Sequence, residues 1–223
     1  MDASGEGQLL VTGFEPFDGE AINPSWEVAR ALDGQLIGGW RVVAVRLPCV
    51  FGASRAALDA AITRLRPAGA LAGVVALGLA GNRGAISVER VAVNLVDARI
   101  PDNAGAQPVD VPVVPGAPLA LATRLPAKAI VARLQAAGLP AELSLSAGSF
   151  VCNEVMFGLL HRLRRRPGVP AGFVHLPPLP EQAARHGLGR AMPLADQVRG
   201  IALAIELLAS GAAELRVAGG TLS

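Results

Sequence analysis

The chain is poor in the residues that most often mark a binding site at a glance. It has no tyrosine, two cysteines and three histidines in 223 residues, and aromatics make up 4% of it. Two cysteines at positions 49 and 152 form no disulfide framework and no zinc-ligand pattern. The histidines, at 161, 175 and 186, do not cluster, which argues against a metal centre and leaves no cofactor implied. The start, MDASGEGQLLVTGF, lacks a basic segment followed by a long apolar one, so no signal peptide is expected. The stretch ALAGVVALGLAG, 70–81, is too short and glycine-rich to span a bilayer. A net charge of +2 with 17% charged residues excludes disorder by composition. Positive charge concentrates only in RLRRR, 162–166, which closes a predicted helix and suits its negative end. Without interleaved aromatics it does not read as a nucleic-acid surface. A reducing cytoplasm is the expected location, where a free thiol survives.

What is present is hydrophobic patterning. About half of the residues are apolar, enough for a sizeable core in one domain. Short apolar runs at 8–13, 41–48, 73–78, 142–148 and 172–177 read as strands. ISVERVAVN, 86–94, alternates as one further strand. Helices are predicted over 23–34, 53–67, 125–138, from Cys152 onward, and over 194–210. The first has Asn23 as N-cap, Pro24 inside its start and Gly34 as terminator. Residues 95–124, rich in Pro, Gly and Asp, read as a long loop with a possible hairpin inside one domain spanning 1–223. The alternation implies a three-layer α/β/α domain around a mainly parallel twisted sheet. Ligands in such folds sit beyond the carboxyl ends of the strands.

That rule draws attention to SAGSFVCNEVMFGLL, a strand end, a Gly/Ser turn and a helix start at Cys152. A thiol in the first turn meets unpaired backbone N–H groups that also suit an oxyanion. The alternative is a small buried core residue, the commoner fate of cysteine; Cys49, without such a turn, is read that way. A nucleophilic thiol needs a base. His161 lies nine residues along the same helix, about 13 Å away at ~1.5 Å per residue, and is out of reach. His186 sits in a polar connecting segment. His175, at the end of the apolar run GFVHLP, is where chemistry is expected, although a core histidine is the plain alternative. Glu89 shares a face with Val91 and Val93, and a carboxylate on an apolar face needs a partner; an edge-strand salt bridge is its plain alternative. GLAGNRG, 78–84, lacks the lysine and the full glycine pattern of a phosphate loop.

Four blocks in order resemble the pyrrolidone carboxyl peptidases, or type I pyroglutamyl peptidases: VTGFEPFDGEAINPSWEVARAL, GLAGNRGAISVERVAVNLVDARIPDNAG, SAGSFVCNEVMFGLL and GFVHLPPLPEQ. The resemblance implies a cysteine peptidase removing an N-terminal pyroglutamate from peptides. It places a Glu-Cys-His triad on Glu89, Cys152 and His175, with no cofactor. By resemblance the oxyanion meets the Cys152 N–H and Arg83. Phe14 and Phe17 follow the first strand and suit the walls of a small flat ring. The resemblance adds Asn23, Leu79, Val93, Phe150, Val151 and Met156 to the substrate site. Its partners are pyroglutamyl peptides and further copies of itself, as a dimer or tetramer, with VDVPVVPGAP as a candidate interface; a non-catalytic pyroglutamyl-binding module is the alternative. Asp18 stands where the family commonly has Gly, Leu79 where some members have Gln, and Pro178 where many have Tyr. Glu154 puts a further charge near the thiol.

Overall fold

The computed structural model describes residues 7–65 and 71–219. Its strands are β1 (Gly7–Phe14), β2 (Leu36–Ile37), β3 (Trp40–Leu47), β4 (Leu71–Leu79), β5 (Ile86–Glu89), β6 (Val91–Val93), β7 (Ala120–Ala122), β8 (Ala141–Ser144) and β9 (Ala171–Leu176). The helices are α1 (Pro24–Leu32), α2 (Ala53–Leu65), α3 (Ala127–Ala136), α4 (Val151–Arg162), α5 (Pro180–His186) and α6 (Leu194–Ala209). The expected stop of α2 at Pro67 lies outside the described residues.

Seven strands form one sheet in the order β2-β3-β1-β4-β9-β5-β8. The pairs β3/β1, β1/β4, β4/β9 and β5/β8 are parallel, while β2/β3 and β5/β9 are antiparallel. The sheet is mainly parallel, as the alternation of apolar runs and helical patterns implies. Its central strands β1, β4 and β9 are largely apolar because both faces are covered. On one face α1, α3 and α6 pack over Leu9, Val11, Leu77, Val88 and Val174. On the other, α2 and α4 pack over Leu10, Val74, Ala76 and Phe173.

Three elements depart from the sequence reading. The run 86–94 is not one strand. β5 ends at Glu89; Arg90 donates its N–H to Ser144 O and accepts from the N–H of Thr123, and the chain leaves the main sheet to pair β6 with β7. The period-two pattern continues through the junction, so the sequence does not mark the change of partner. β2 is absent from the sequence reading, although Gly38 and Gly39, at φ of 58° and 84°, make the two-residue turn that Gly-Gly favours. α5 was also read as a connection. Its signals are Pro180 in the first turn and Gly187 in the left-handed conformation after the last.

The segment 95–124 is tied down rather than open. It contains β7 and a bridge between Val96 and Val111. Asp102 accepts from the N–H groups of Phe51, Ala104 and Ala106 at 2.8–2.9 Å. In this segment Val113 is buried, so its exposed large apolar side chains are Leu95, Ile100, Val109, Val111 and Leu119 rather than the whole VPVV run.

Candidate active site

Alternation along three strands sets the site. On β9, Val174 and Leu176 face the α1/α3/α6 layer, so Phe173 and His175 face α4. On β5, Ile86 and Val88 take the first layer, which turns Ser87 and Glu89 to the α4 side. On β4, Gly78 follows Ala76 with the same facing and is the register partner of His175. A Cβ at Gly78 would lie 3.0 Å from Cys152 Sγ, so the thiol rests directly on the bare backbone of β4 beside His175. The absence of a side chain is what admits the thiol.

His175 Nδ1 lies 2.7 Å from Glu89 Oε1 in a nearly dry pair. The carboxylate accepts at Nδ1, so that nitrogen carries the proton and Nε2 is left for a reaction partner. Burial pushes the Glu89 carboxyl up, but the hydrogen bond and charge of His175, Ser144 and Arg83 outweigh it, and its pKa falls below the usual value. Burial holds His175 below the usual histidine value, against the pull of Glu89. Burial also raises the Cys152 thiol, with the charges of Cys49 and Glu89 adding to it and Arg83 opposing. Both shifts favour the uncharged thiol and imidazole over a thiolate–imidazolium pair.

Cys152 is the second residue of α4, half-buried, in the turn where backbone N–H groups have no intrahelical acceptor. Asn153 anchors this turn. Its Oδ1 accepts from Val93 N at 2.9 Å, and its Nδ2 donates to Val93 O and Leu95 O, both at 2.9 Å. Glu154 turns away from the thiol: its carboxylate accepts from Gly52 N at 3.0 Å and from Ser54 Oγ at 3.4 Å, capping α2.

A cavity of about 630 Å³ opens over Cys152. Phe14, Phe17, Asn23, Leu79 and Phe150, all expected, line it. Phe17 and Phe150 meet at 5.4 Å between ring centroids, and Phe51 stands edge-on to Phe150 at 5.0 Å. Val151 and Met156 do not line it; both are fully buried beneath the helix start and support the wall. Val93 is held on Asn153 in the small sheet and does not reach the cavity wall either. Asn23 is spent internally: Oδ1 accepts from Ser25 N at 3.1 Å and Ser25 Oγ at 2.8 Å, and Nδ2 donates to Glu15 O at 3.0 Å. Arg83 is not on the cavity wall. Its Nη1 donates to Glu89 Oε1 at 2.6 Å and its Nη2 to Ser146 O at 3.1 Å.

The sequence reading missed several wall residues. Cys49, Glu20, Arg99, Gln182 and His186 line the cavity with the departures Asp18 and Pro178. Cys49 is buried, and burial first, then Glu15 and Asp102, pushes its thiol up to about 12. Glu20 and Gln182 carry no periodicity signal; only the docking of α5 on the loop after β1 brings them in. A second cavity, of about 600 Å³ around Trp40 and Arg124, touches neither Cys152 nor His175. Among the described residues no cluster of metal-ligating side chains is present, and no helix is long and apolar enough to cross a membrane.

The fold and the site define an α/β protein that gathers a thiol, an imidazole and a carboxylate under an aromatic-walled cavity at the end of its sheet. A family model described as pyroglutamyl peptidase matches residues 7–210. The chain belongs to the pyroglutamyl peptidase family. It is 56% identical to a pyrrolidone-carboxylate peptidase of Gloeobacter violaceus over 91% of this chain and 97% of that one. It is 51% identical to that of Erwinia tasmaniensis over 96% and 98%. Among solved structures it is similar to pyroglutamyl peptidase I of Bacillus amyloliquefaciens, with a TM-score of 0.89 and 38% identity over 94% of this chain and all of that one. The pyrrolidone carboxyl peptidase of Thermococcus litoralis superposes with a TM-score of 0.88 at 36% identity, over 95% and 99%.

Proposed function

We propose that this protein is a cysteine peptidase that hydrolyses the bond after an N-terminal pyroglutamyl residue, with Cys152 as nucleophile, His175 as base and Glu89 as its orienting carboxylate. The observation that carries this reading is the buried 2.7 Å pair of His175 and Glu89, one strand away from a thiol seated against Gly78. Family membership supplies the substrate class.

His175 Nε2 takes the Cys152 proton as the sulfur attacks the pyroglutamyl carbonyl. The oxyanion is met by the Cys152 N–H at the helix start. Arg83 is proposed to assist there, which requires part of its guanidinium to leave Glu89 or Ser146. The tetrahedral intermediate collapses, the amine departs with the proton of His175, and water hydrolyses the thioester with His175 again as base. Glu89 keeps Nε2 aimed and stabilises the imidazolium formed on the way. Phe14, Phe17 and Phe150 form the apolar walls that accept an uncharged ring. No cofactor or metal enters these steps. Cytoplasmic location and assembly into homo-oligomers through the exposed Val109 and Val111 of VDVPVVPGAP are part of the same proposal; neither nucleic acid nor membrane is a proposed partner. Sedimentation showing the same mass for wild type and for a folded Val109→Glu/Val111→Glu variant would overturn the interface.

The first test compares release of amine from L-pyroglutamyl-anilide and L-prolyl-anilide. Turnover of the first only is expected, with a loss of at least ~10⁴-fold in a folded Cys152→Ala variant. Turnover surviving that substitution would remove the nucleophile assignment, and none by the reduced wild type would remove the reaction.

A further inference from the structure

The loop after β1 and helix α5 form two walls of the cavity, and one carboxylate joins them. Glu20, whose side chain is 11% exposed, receives three side chains of α5. Gln182 Nε2 donates to Oε2 at 3.1 Å, Arg185 Nη1 donates to Oε2 at 2.9 Å, and His186 Nε2 pairs with Oε1. Gln182 also donates to Ile22 O at 3.3 Å, and its Oε1 accepts from Leu179 N at 3.1 Å, so it is fixed from both sides. Glu20, Gln182 and His186 all line the cavity that holds Cys152.

An ionised carboxylate on that wall is a hazard for a site meant for a lactam. A pyroglutamyl group has no ammonium, whereas every ordinary peptide N-terminus has one near neutral pH. A bare carboxylate would attract that ammonium and favour the wrong peptides. Here the carboxylate is not bare, since each oxygen is engaged by at least one donor, and both Arg185 and His186 are half-exposed outside it. The interaction with His186 first, then Gln182 and the charge of Arg185, holds the Glu20 pKa below its usual value.

We infer that Glu20 and its three donors from α5 are a specificity device: they lock the two walls together and mask the carboxylate that joins them, so that, of the two carboxylates on the wall, only the exposed Asp18 is left uncovered and Glu20 is not offered to a free amino terminus. The inference rests on the proposed pyroglutamyl specificity. Specificity here is set by excluding a competitor as much as by contacting the substrate.

The test reads charge at Cys152 without relying on turnover. Cys152 in the full-length protein is modified with a methanethiosulfonate bearing a trimethylammonium group and with one bearing a sulfonate, and the rate ratio is followed by mass spectrometry of the Cys152 peptide. Four proteins are compared: wild type, Glu20→Gln, Arg185→Ala/His186→Ala, and the triple variant. The donor-stripped variant should raise the cation-to-anion ratio at least about fivefold, the size of one unit charge felt across a few ångströms of wet protein. Wild type, in which the carboxylate is paired, should lie within about twofold of the triple variant, in which carboxylate and donors are both removed, and Glu20→Gln should remove the rise in the stripped variant. L-prolinamide, a cationic amine, should inhibit pyroglutamyl-anilide turnover competitively in the stripped variant and weakly in wild type. A wild-type ratio about fivefold or more above that of the triple variant would mean an unmasked carboxylate in wild type and would overturn the inference. So would an unchanged ratio in stripped variants that keep the wild-type melting temperature. Failure of the lactam reading is seen separately, as no turnover of pyroglutamyl-anilide by a wild type whose thiol still reacts.

Discussion

Glu89 Oε1 lies 2.7 Å from His175 Nδ1, and the same oxygen takes Arg83 Nη1 at 2.6 Å. One buried carboxylate oxygen thus sets both the tautomer and the charge environment of the imidazole. Arg83 lowers the His175 pKa and Glu89 raises it. The acid limb of kcat/KM follows the free-enzyme pKa of the base. Glu89→Gln should move that limb to lower pH and reduce kcat by ~10²–10⁴-fold, the range seen when a triad carboxylate is neutralised. Arg83→Gln should move the limb the other way, to higher pH. A fall in kcat without that shift would place Arg83 at the oxyanion rather than on Glu89.

The resting neutral pair has its own signature. With burial raising the thiol and depressing the imidazole, the rate of Cys152 alkylation by iodoacetamide should climb steadily with pH through neutrality. A plateau reached by pH 6 would reveal a thiolate–imidazolium pair and exclude the neutral resting state.

Stability should fall on mild acidification. Above the ordinary histidine value near 6.5, both folded and unfolded His175 are neutral and contribute no slope. Below it the unfolded chain takes a proton that the folded protein refuses, so the unfolded state gains. The loss continues until pH reaches the depressed folded value and then levels off. Glu89, whose folded pKa is also depressed, adds a second loss at pH below about 4.5, when it is protonated. Chemical denaturation between pH 7.5 and 5 should show the first slope, and His175→Gln should flatten it; an unaltered slope in that variant would assign the effect elsewhere.

Gly78→Ala tests the seat of the thiol. The added methyl would lie 2.7 Å from Phe173 Cζ and 3.0 Å from Cys152 Sγ. Overpacking of this kind costs about 1–3 kcal/mol, and a displaced thiol should lower kcat more than tenfold in protein that remains folded. Near-normal kcat would show that the site does not depend on this contact.

Asp18 sits at φ 56°, a conformation that glycine adopts without penalty. Asp18→Gly should raise stability by up to about 1 kcal/mol, since an L-residue is disfavoured there and Asp only less so than others. The corresponding rise in melting temperature is about 2–4 °C for a domain of this size. A lower melting temperature would mean that the Asp18 side chain contributes more than its backbone costs.

Asn153→Ala should destabilise by about 2–4 kcal/mol, because Val93 N, Val93 O and Leu95 O would lose their buried partner. Thermal denaturation measures it; a change under 0.5 kcal/mol, the size typical of exposed sites, would show that water replaces the amide.

The layers of this protein, and the thiol, imidazole and carboxylate of its candidate site, are legible in the amino-acid sequence alone. Apolar runs with Gly/Pro punctuation mark β1, β3, β4 and β9, because a strand covered on both faces is largely apolar, while β8, an edge strand, is marked by the alternation of AELS. The cap at Asn23 and the Gly/Ser turn before Cys152 are local signals, and local geometry fulfils them. What it did not reveal were choices of partner. ISVERVAVN alternates without a break, yet its halves belong to different sheets, since alternation records which face is buried and not which strand is alongside. Arg83 is a cation six residues from Glu89, and only the return of the chain between β4 and β5 sets it on that carboxylate. Cys49, Glu20, Gln182 and His186 come from three distant segments. They share one cavity because parallel strands deliver their following loops to the same edge of the sheet, a consequence of strand order that no single segment encodes.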